Sequence, residues 1–248
     1  MQSNFKFTQK NTLKNSGNAS NFFSSLNVNF PFFDKASFII HVDNSIIGVF
    51  PCKLNEVNAS SFNNVENFLD LIILVNKSSN LSLSVKKPLI NLFQEIFISP
   101  YFPDKEEFVK VLKTGKFAVA SFGQSKSTFK IDEAIRNALR DASKSLDITL
   151  AKSAFLHIQF NHFLSSSELY RGIEILREAL NNQEAPICCS FKLIKSNFLK
   201  SFLILNGFKA IKELKNNNFL SHLLFDLEPE STSNENKLNL TLELPNID

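Results

Sequence analysis

From Lys116 onward the apolar residues change their period again and again, and this alternation restricts the chain to few architectures. Residues 116–122 (KFAVASF) alternate with the period of two that a half-buried strand requires. Residues 131–143 instead place Ile131, Ala134, Ile135, Ala138 and Leu139 on one helical stripe. Residues 154–160 return to strand, and residues 165–180 read as a helix opened by serines, with Glu168 placed to close a capping box. Residues 186–193 and 198–206 read as two strands joined by a Lys195-Ser196-Asn197 turn. The order strand, helix, strand, helix, strand, strand predicts an α/β fold (α+β, two layers), a mixed sheet with helices packed on one face.

The preceding stretch predicts more of the same. Residues 36–42 and 45–50 are β-rich runs around Asp43-Asn44, a tight-turn dipeptide. Residues 57–68 suggest a short, asparagine-laden helix. Residues 69–75 form a continuous apolar run of strand length, the pattern of a strand covered on both faces. After a loop at 76–84, Pro88 suits the first turn of a helix over 89–98 carrying Leu89, Leu92, Phe93, Ile96 and Phe97. Pro100 and Pro103 break it, Asp104 can cap a new helix running to Lys113, and Gly115 ends that helix.

Composition closes off several function classes. With 44% hydrophobic and 21% charged residues the chain has an ordinary globular make-up. A net charge of +3, without a basic stripe interleaved with aromatics, gives no reason to expect nucleic acid. No apolar run approaches the roughly 20 residues that span a bilayer, and no compact apolar core follows the N-terminal lysines, so neither a transmembrane segment nor a signal peptide is expected. An organellar transit peptide is a minor alternative for residues 1–35, a Ser/Asn-rich arm that carries no arginine. The abundance of Phe (27) against Trp (0) and Gly (6) follows AT-rich coding rather than function. Cys52, Cys188 and Cys189 have no disulfide-framework or metal-ligand spacing and are expected buried and reduced, in keeping with a cytoplasmic setting. His157 lies in an apolar strand, His41 in a strand, His162 in a loop and His222 in a helix-like segment; none has a nucleophile or metal partner at suitable spacing, so no metal is expected. Lys209–Lys215 reads as a solvated helix face, and after residues 219–225 the chain becomes acidic and Ser/Asn-rich up to a last apolar-acidic piece.

Six stretches, in order, resemble the second half of an FtsZ/tubulin-type cytoskeletal GTPase. SIIGVFPCKL (45–54) resembles the family strand TVGVVTKPF, and DLIILVN (70–76) resembles DTLIVIPN. INLFQEIFIS (90–99) resembles the helix leading into the synergy loop, the loop that reaches a neighbouring subunit's nucleotide. FVKVLKTGKFAVASFG (108–123) resembles DVRTVMSEMGYAMMGSG, and residues 131–145 resemble RAEEAAEMAISSP. APICCSFKLIKSNFLKSFLILNGF (185–208) resembles the paired strands ending in ATGF. The pieces are colinear from Ile46 to Lys209.

The resemblance implies an FtsZ/tubulin C-terminal-domain-like sheet at 101–212, a remnant of the preceding GTPase-type α/β domain at 36–100 and an acidic flexible tail at 213–248. The family's glycine-rich phosphate loop, GGGTGTG, has no counterpart, since only Gly17 precedes Gly48. Backbone amides wrap a phosphate closely through glycine or a helix N-terminus, so no cofactor is expected in this chain alone, with GTP and magnesium only at an interface shared with another subunit. The family's synergy loop, NxDxxD, carries carboxylates that position or activate the attacking water. Asp104 and Glu107 fall on its two acidic positions, whereas Phe102 stands where the asparagine would be. Two readings of Asp104 and Glu107 stand side by side: catalytic residues acting on a neighbour's nucleotide, or a helix start whose negative charge is stabilised by roughly 0.3–1 kcal/mol. The resemblance thus implies a cell-division-type, filament-associated protein whose partners are itself or full-length FtsZ-type subunits. A divergent self-assembling GTPase and a non-catalytic adaptor with the fold alone are the alternatives. Leu240–Asp248 (LTLELPNID) occupies the place of the family's terminal peptide, which implies a membrane-tethering division protein as a further partner.

Overall fold

The structure, a computed structural model, describes residues 37–42, 45–54, 57, 62, 65–76, 91–92, 105–126, 131–160, 165–195 and 198–215. The arm at 1–35, Asp104, His162, His222 and the tail beyond Lys215 lie outside these residues, as does all but 91–92 of the helix expected over 89–98; those two residues are helical. Seven strands form one mixed sheet in the order β1-β2-β3-β4-β7-β5-β6. They are β1 (Phe38–Val42), β2 (Ser45–Cys52), β3 (Leu71–Asn76), β4 (Phe117–Ser125), β5 (Ser153–Phe160), β6 (Ile187–Leu193) and β7 (Leu199–Phe208). β2, β3 and β4 run parallel, as do β5 and β6, and β7 lies antiparallel between β4 and β5. β1 turns back on β2 with Val42 opposite Ser45.

Each face of the sheet carries its own apolar layer. Helices α2 (Ile131–Ser143) and α3 (Ser166–Ala179) cover one face, burying Ile131, Ala134, Ile135, Ala138 and Leu139 against β4 and β7, the stripe that the helical period marks. Val57, Phe62, Val65 and Leu69 extend this layer beneath β1–β3. The opposite face is covered by α1 (Lys105–Leu112), whose Phe108, Val111 and Leu112 pack on Phe155, Cys188 and Ile204. Both faces of β3 are therefore buried, with Ile72 and Leu74 on one and Leu71, Ile73 and Val75 on the other.

Close approach fixes α2. A Cβ on Gly123 of β4 would lie 1.8 Å from the Ala134 carbonyl oxygen and 2.5 Å from the Ala138 nitrogen, so the helix rests on bare backbone there. Ser201 donates to the same Ala134 carbonyl at 2.7 Å, and Asn137 donates to Gln124 O at 2.9 Å. α3 begins with the capping box expected of it: Ser165 accepts from Glu168 N while Glu168 accepts from Ser165 N at 2.9 Å.

Three local expectations change. Residues 65–68 form turns, with Val65 N and Glu66 N both donating to Phe62 O, and no helix runs through the described part of 57–68. The stretch is rich in asparagine, a residue type whose side chain competes for backbone groups and disfavours helix. The last strand continues past Asn206 to Phe208, because Gly207 takes φ +112° and absorbs a bulge between Phe117↔Phe208 and Ala118↔Asn206. The run at Lys209–Lys215 is a 3-10 turn over Ile211–Lys215 that buries Ile211 and Leu214 and leaves Lys212 at the surface. β6 and β7, neighbours in sequence, do not pair; β5 lies between them.

Candidate functional site

The residues that carry a candidate chemistry belong to α1. Phe108, Val111 and Leu112 recur at the spacing of one helical face and are nearly inaccessible, so Glu107 and Lys110 emerge on the other side. Phe108 meets Phe155 edge to face, with ring centroids 5.2 Å apart, which fixes the rotation of the helix about its axis. Glu107 is exposed in the first turn. Its charge adds to burial in pushing the Cys188 thiol up to about 11. Of the two sequence-derived site residues, Glu107 alone lies among the described residues, on the exposed side of α1.

The other end of α1 is tied to the sheet by residues that the sequence reading did not single out. The side-chain amide of Asn206 donates to Val111 O at 2.7 Å and to Leu112 O at 2.8 Å. Ser153 donates to Val111 O at 3.0 Å, and Thr114 lies 2.6 Å from Ser153 Oγ. The last carbonyls of a helix have no partner within it, and here three side chains from two strands and the following turn supply partners. Gly115 brings this corner together: a Cβ on it would fall 2.5 Å from the backbone of Gly207. The signal in the sequence was Asn206 itself, a strongly polar residue in the apolar run LILNGF, which when buried must find hydrogen-bond partners.

The remaining candidates serve the core. His157 is fully buried, with Nδ1 2.7 Å from Ser190 Oγ on the neighbouring strand, and burial followed by the charge of Lys192 lowers its pKa to about 4. Cys52 and Cys188 are buried, Cys189 at the sheet's edge is partly buried rather than fully as expected, and the three form no disulfide. Burial and then the neighbouring Cys188 push Cys189 up to about 12. Among the described residues no group of His, Cys, Asp or Glu is arranged to hold a metal ion, and no described helix is long and apolar enough to cross a membrane. The five described glycines lie in strands β2, β4 and β7, in helix α3 and in the turn after α1, all at points of close packing.

No family model and no curated protein matches the chain. Solved structures do. An empty FtsZ dimer from M. jannaschii is 16% identical, with 65% of this chain and 54% of that one covered at a TM-score of 0.50. A point mutant of FtsZ from M. jannaschii is 18% identical, with 65% and 56% covered at a TM-score of 0.53. The chain thus spans about half the length of these FtsZ structures. The likeness in sheet and helices, at an identity too low to speak for activity, establishes one thing: this chain has a divergent FtsZ/tubulin-like fold.

Proposed function

We propose that the protein is an FtsZ-like filament subunit that presents the start of α1, with Asp104 and Glu107, to the nucleotide of a GTP-bearing neighbour. The observation that carries this reading is the mounting of Glu107: exposed at one end of a helix whose other end is held by Asn206, Ser153 and Thr114. A carboxylate that must position water on another subunit's phosphate gains from such fixing, since small displacements of a catalytic group are costly. Self-association is in keeping with the dimer found for the similar FtsZ structure. That the described glycines serve packing supports a division of labour in which the neighbour, not this chain, cradles the phosphates. Leu240–Asp248 is the proposed contact for a membrane-tethering division protein.

Co-sedimentation tests the reading. The chain should pellet with polymers of a full-length FtsZ-type protein in GTP, and replacing both Asp104 and Glu107 by Ala should lower GTP turnover of the mixture at least about tenfold while co-pelleting persists. Titration calorimetry of the chain alone with GTP and magnesium should give no binding heat up to millimolar nucleotide. Micromolar binding would replace the proposal with a self-sufficient GTPase.

A further inference from the structure

The sheet ends at β6, which has β5 on one side only among the described residues. Its residues alternate between the two apolar layers. Cys188 and Ser190 are buried on the α1 side, whereas Ile187, Cys189 and Phe191 are partly buried on the α2/α3 side and Leu193 is 65% exposed. Ile194 N donates to Phe160 O and Ala154 N donates to Pro186 O, so even-numbered residues of β6 turn their backbone groups toward β5. Cys189 and Leu193 consequently carry theirs on the side away from it. An edge that has no further strand among the described residues, with a partly buried apolar stripe, is a template for one more strand.

The chain itself contains a segment of matching pattern. Residues 238–244 read Leu-Asn-Leu-Thr-Leu-Glu-Leu, four leucines at strict alternation, closed by Pro245, which cannot extend a ladder. We infer that residues 238–244 of the same chain dock as an eighth strand parallel to β6, with their leucines continuing the stripe of Ile187, Cys189, Phe191 and Leu193. In that register Thr241 lies beside Ser190 and Glu243 beside Lys192, opposite charges on the α1 side of the sheet. The route is short. β7 ends at Phe208, opposite Phe117 at the start of β4, which is the end of the sheet where β6 begins. From there residues 216–237 need only cross three strand spacings, about 14 Å, and even a coil of that length spans about 25 Å. Docked in this way the leucines are hidden, so the tail must leave β6 before it can meet a tether. The inference itself stands whether or not the filament proposal does.

Amide exchange by NMR on the full chain decides it. Replacing Leu240 and Leu242 together by Asp should speed exchange at Cys189 and Leu193 by about tenfold or more, with Ala154 and Leu156 of β5 unchanged as the control for folding. Glu243→Lys, which keeps every leucine, should produce a smaller increase at the same two amides. The protection in the unsubstituted chain should stay constant over a hundredfold dilution. Unchanged exchange in both variants would overturn the inference, and protection that fades on dilution would reassign the strand to a second copy.

Discussion

Asn206, in the last strand of the sheet, holds the C-terminal carbonyl of Val111 at 2.7 Å, and with it the end of the helix that carries Glu107. Its amide also serves Leu112 O at 2.8 Å, and its own carbonyl accepts from Gly207 N at 2.7 Å. Removing it leaves two helix-end carbonyls with fewer donors in a fully buried corner.

Asn206→Ala should therefore destabilise the protein by about 2–3 kcal/mol, read from the urea midpoint at unchanged slope. Asn206→Asp should cost more, since a carboxylate has no N–H to give and its charge is buried. In a double-mutant cycle Asn206→Ala and Ser153→Ala should couple, because both donate to Val111 O.

Two glycine-to-alanine substitutions should differ sharply. At Gly123 the new methyl meets Ala134 O at 1.8 Å, backbone that cannot move without lifting α2 from the sheet. The expected cost is above about 3 kcal/mol, or loss of folding. At Gly172, within α3, the methyl meets only the tip of Ile135 at 2.6 Å, the far end of a side chain that can rotate. Helix propensity there favours alanine by up to about 1 kcal/mol, so Gly172→Ala should be neutral or mildly stabilising in thermal denaturation.

The parts of this fold that were legible in the sequence are those set by local period. The stripe Ile131, Ala134, Ile135, Ala138 and Leu139 is the buried face of α2, and Ser165 with Glu168 opens α3 as a capping box. What stayed hidden depends on long-range pairing. Nothing in the run from Pro186 to Asn206 tells that β7 passes over β5 to reach β4, because strand order rests on contacts such as Ser201 with Ala134. The surroundings of the candidate site were legible in the same uneven way. Glu107 emerges at the surface because Phe108 next to it must be buried, but the anchoring of its helix comes from Asn206, far along the chain.

The thiols give a test of packing under mild conditions. Burial raises the Cys188 thiol to about 11 and the Cys189 thiol to about 12, so both stay protonated at pH 8, and the thiolate is the reacting form. In native protein a disulfide reagent should modify Cys52, Cys188 and Cys189 at least about a hundredfold more slowly than a free thiol, and denaturant should release all three. Rapid modification of Cys188 would show that α1 lifts from the sheet.

His157 should give the stability curve a distinct acid limb. Its ordinary value of 6.5 falls to about 4 in the folded protein, mainly through burial, so the unfolded chain takes up the proton first. Stability is then complete above pH 6.5 and declines as the pH drops from 6.5 toward 4, by on the order of 3 kcal/mol in all. His157→Gln, neutral throughout, should be flatter across that window and less stable than the parent at pH 7, where the Ser190 contact at 2.7 Å counts. Asp141 acts in the opposite sense: desolvation raises its carboxyl, so its own contribution favours the folded state at low pH. Subtracting the variant's curve from the parent's removes Asp141 and the surface carboxylates. The difference should fall between pH 6.5 and 4, and a flat difference would mean that His157 is hydrated or protonated in the native state.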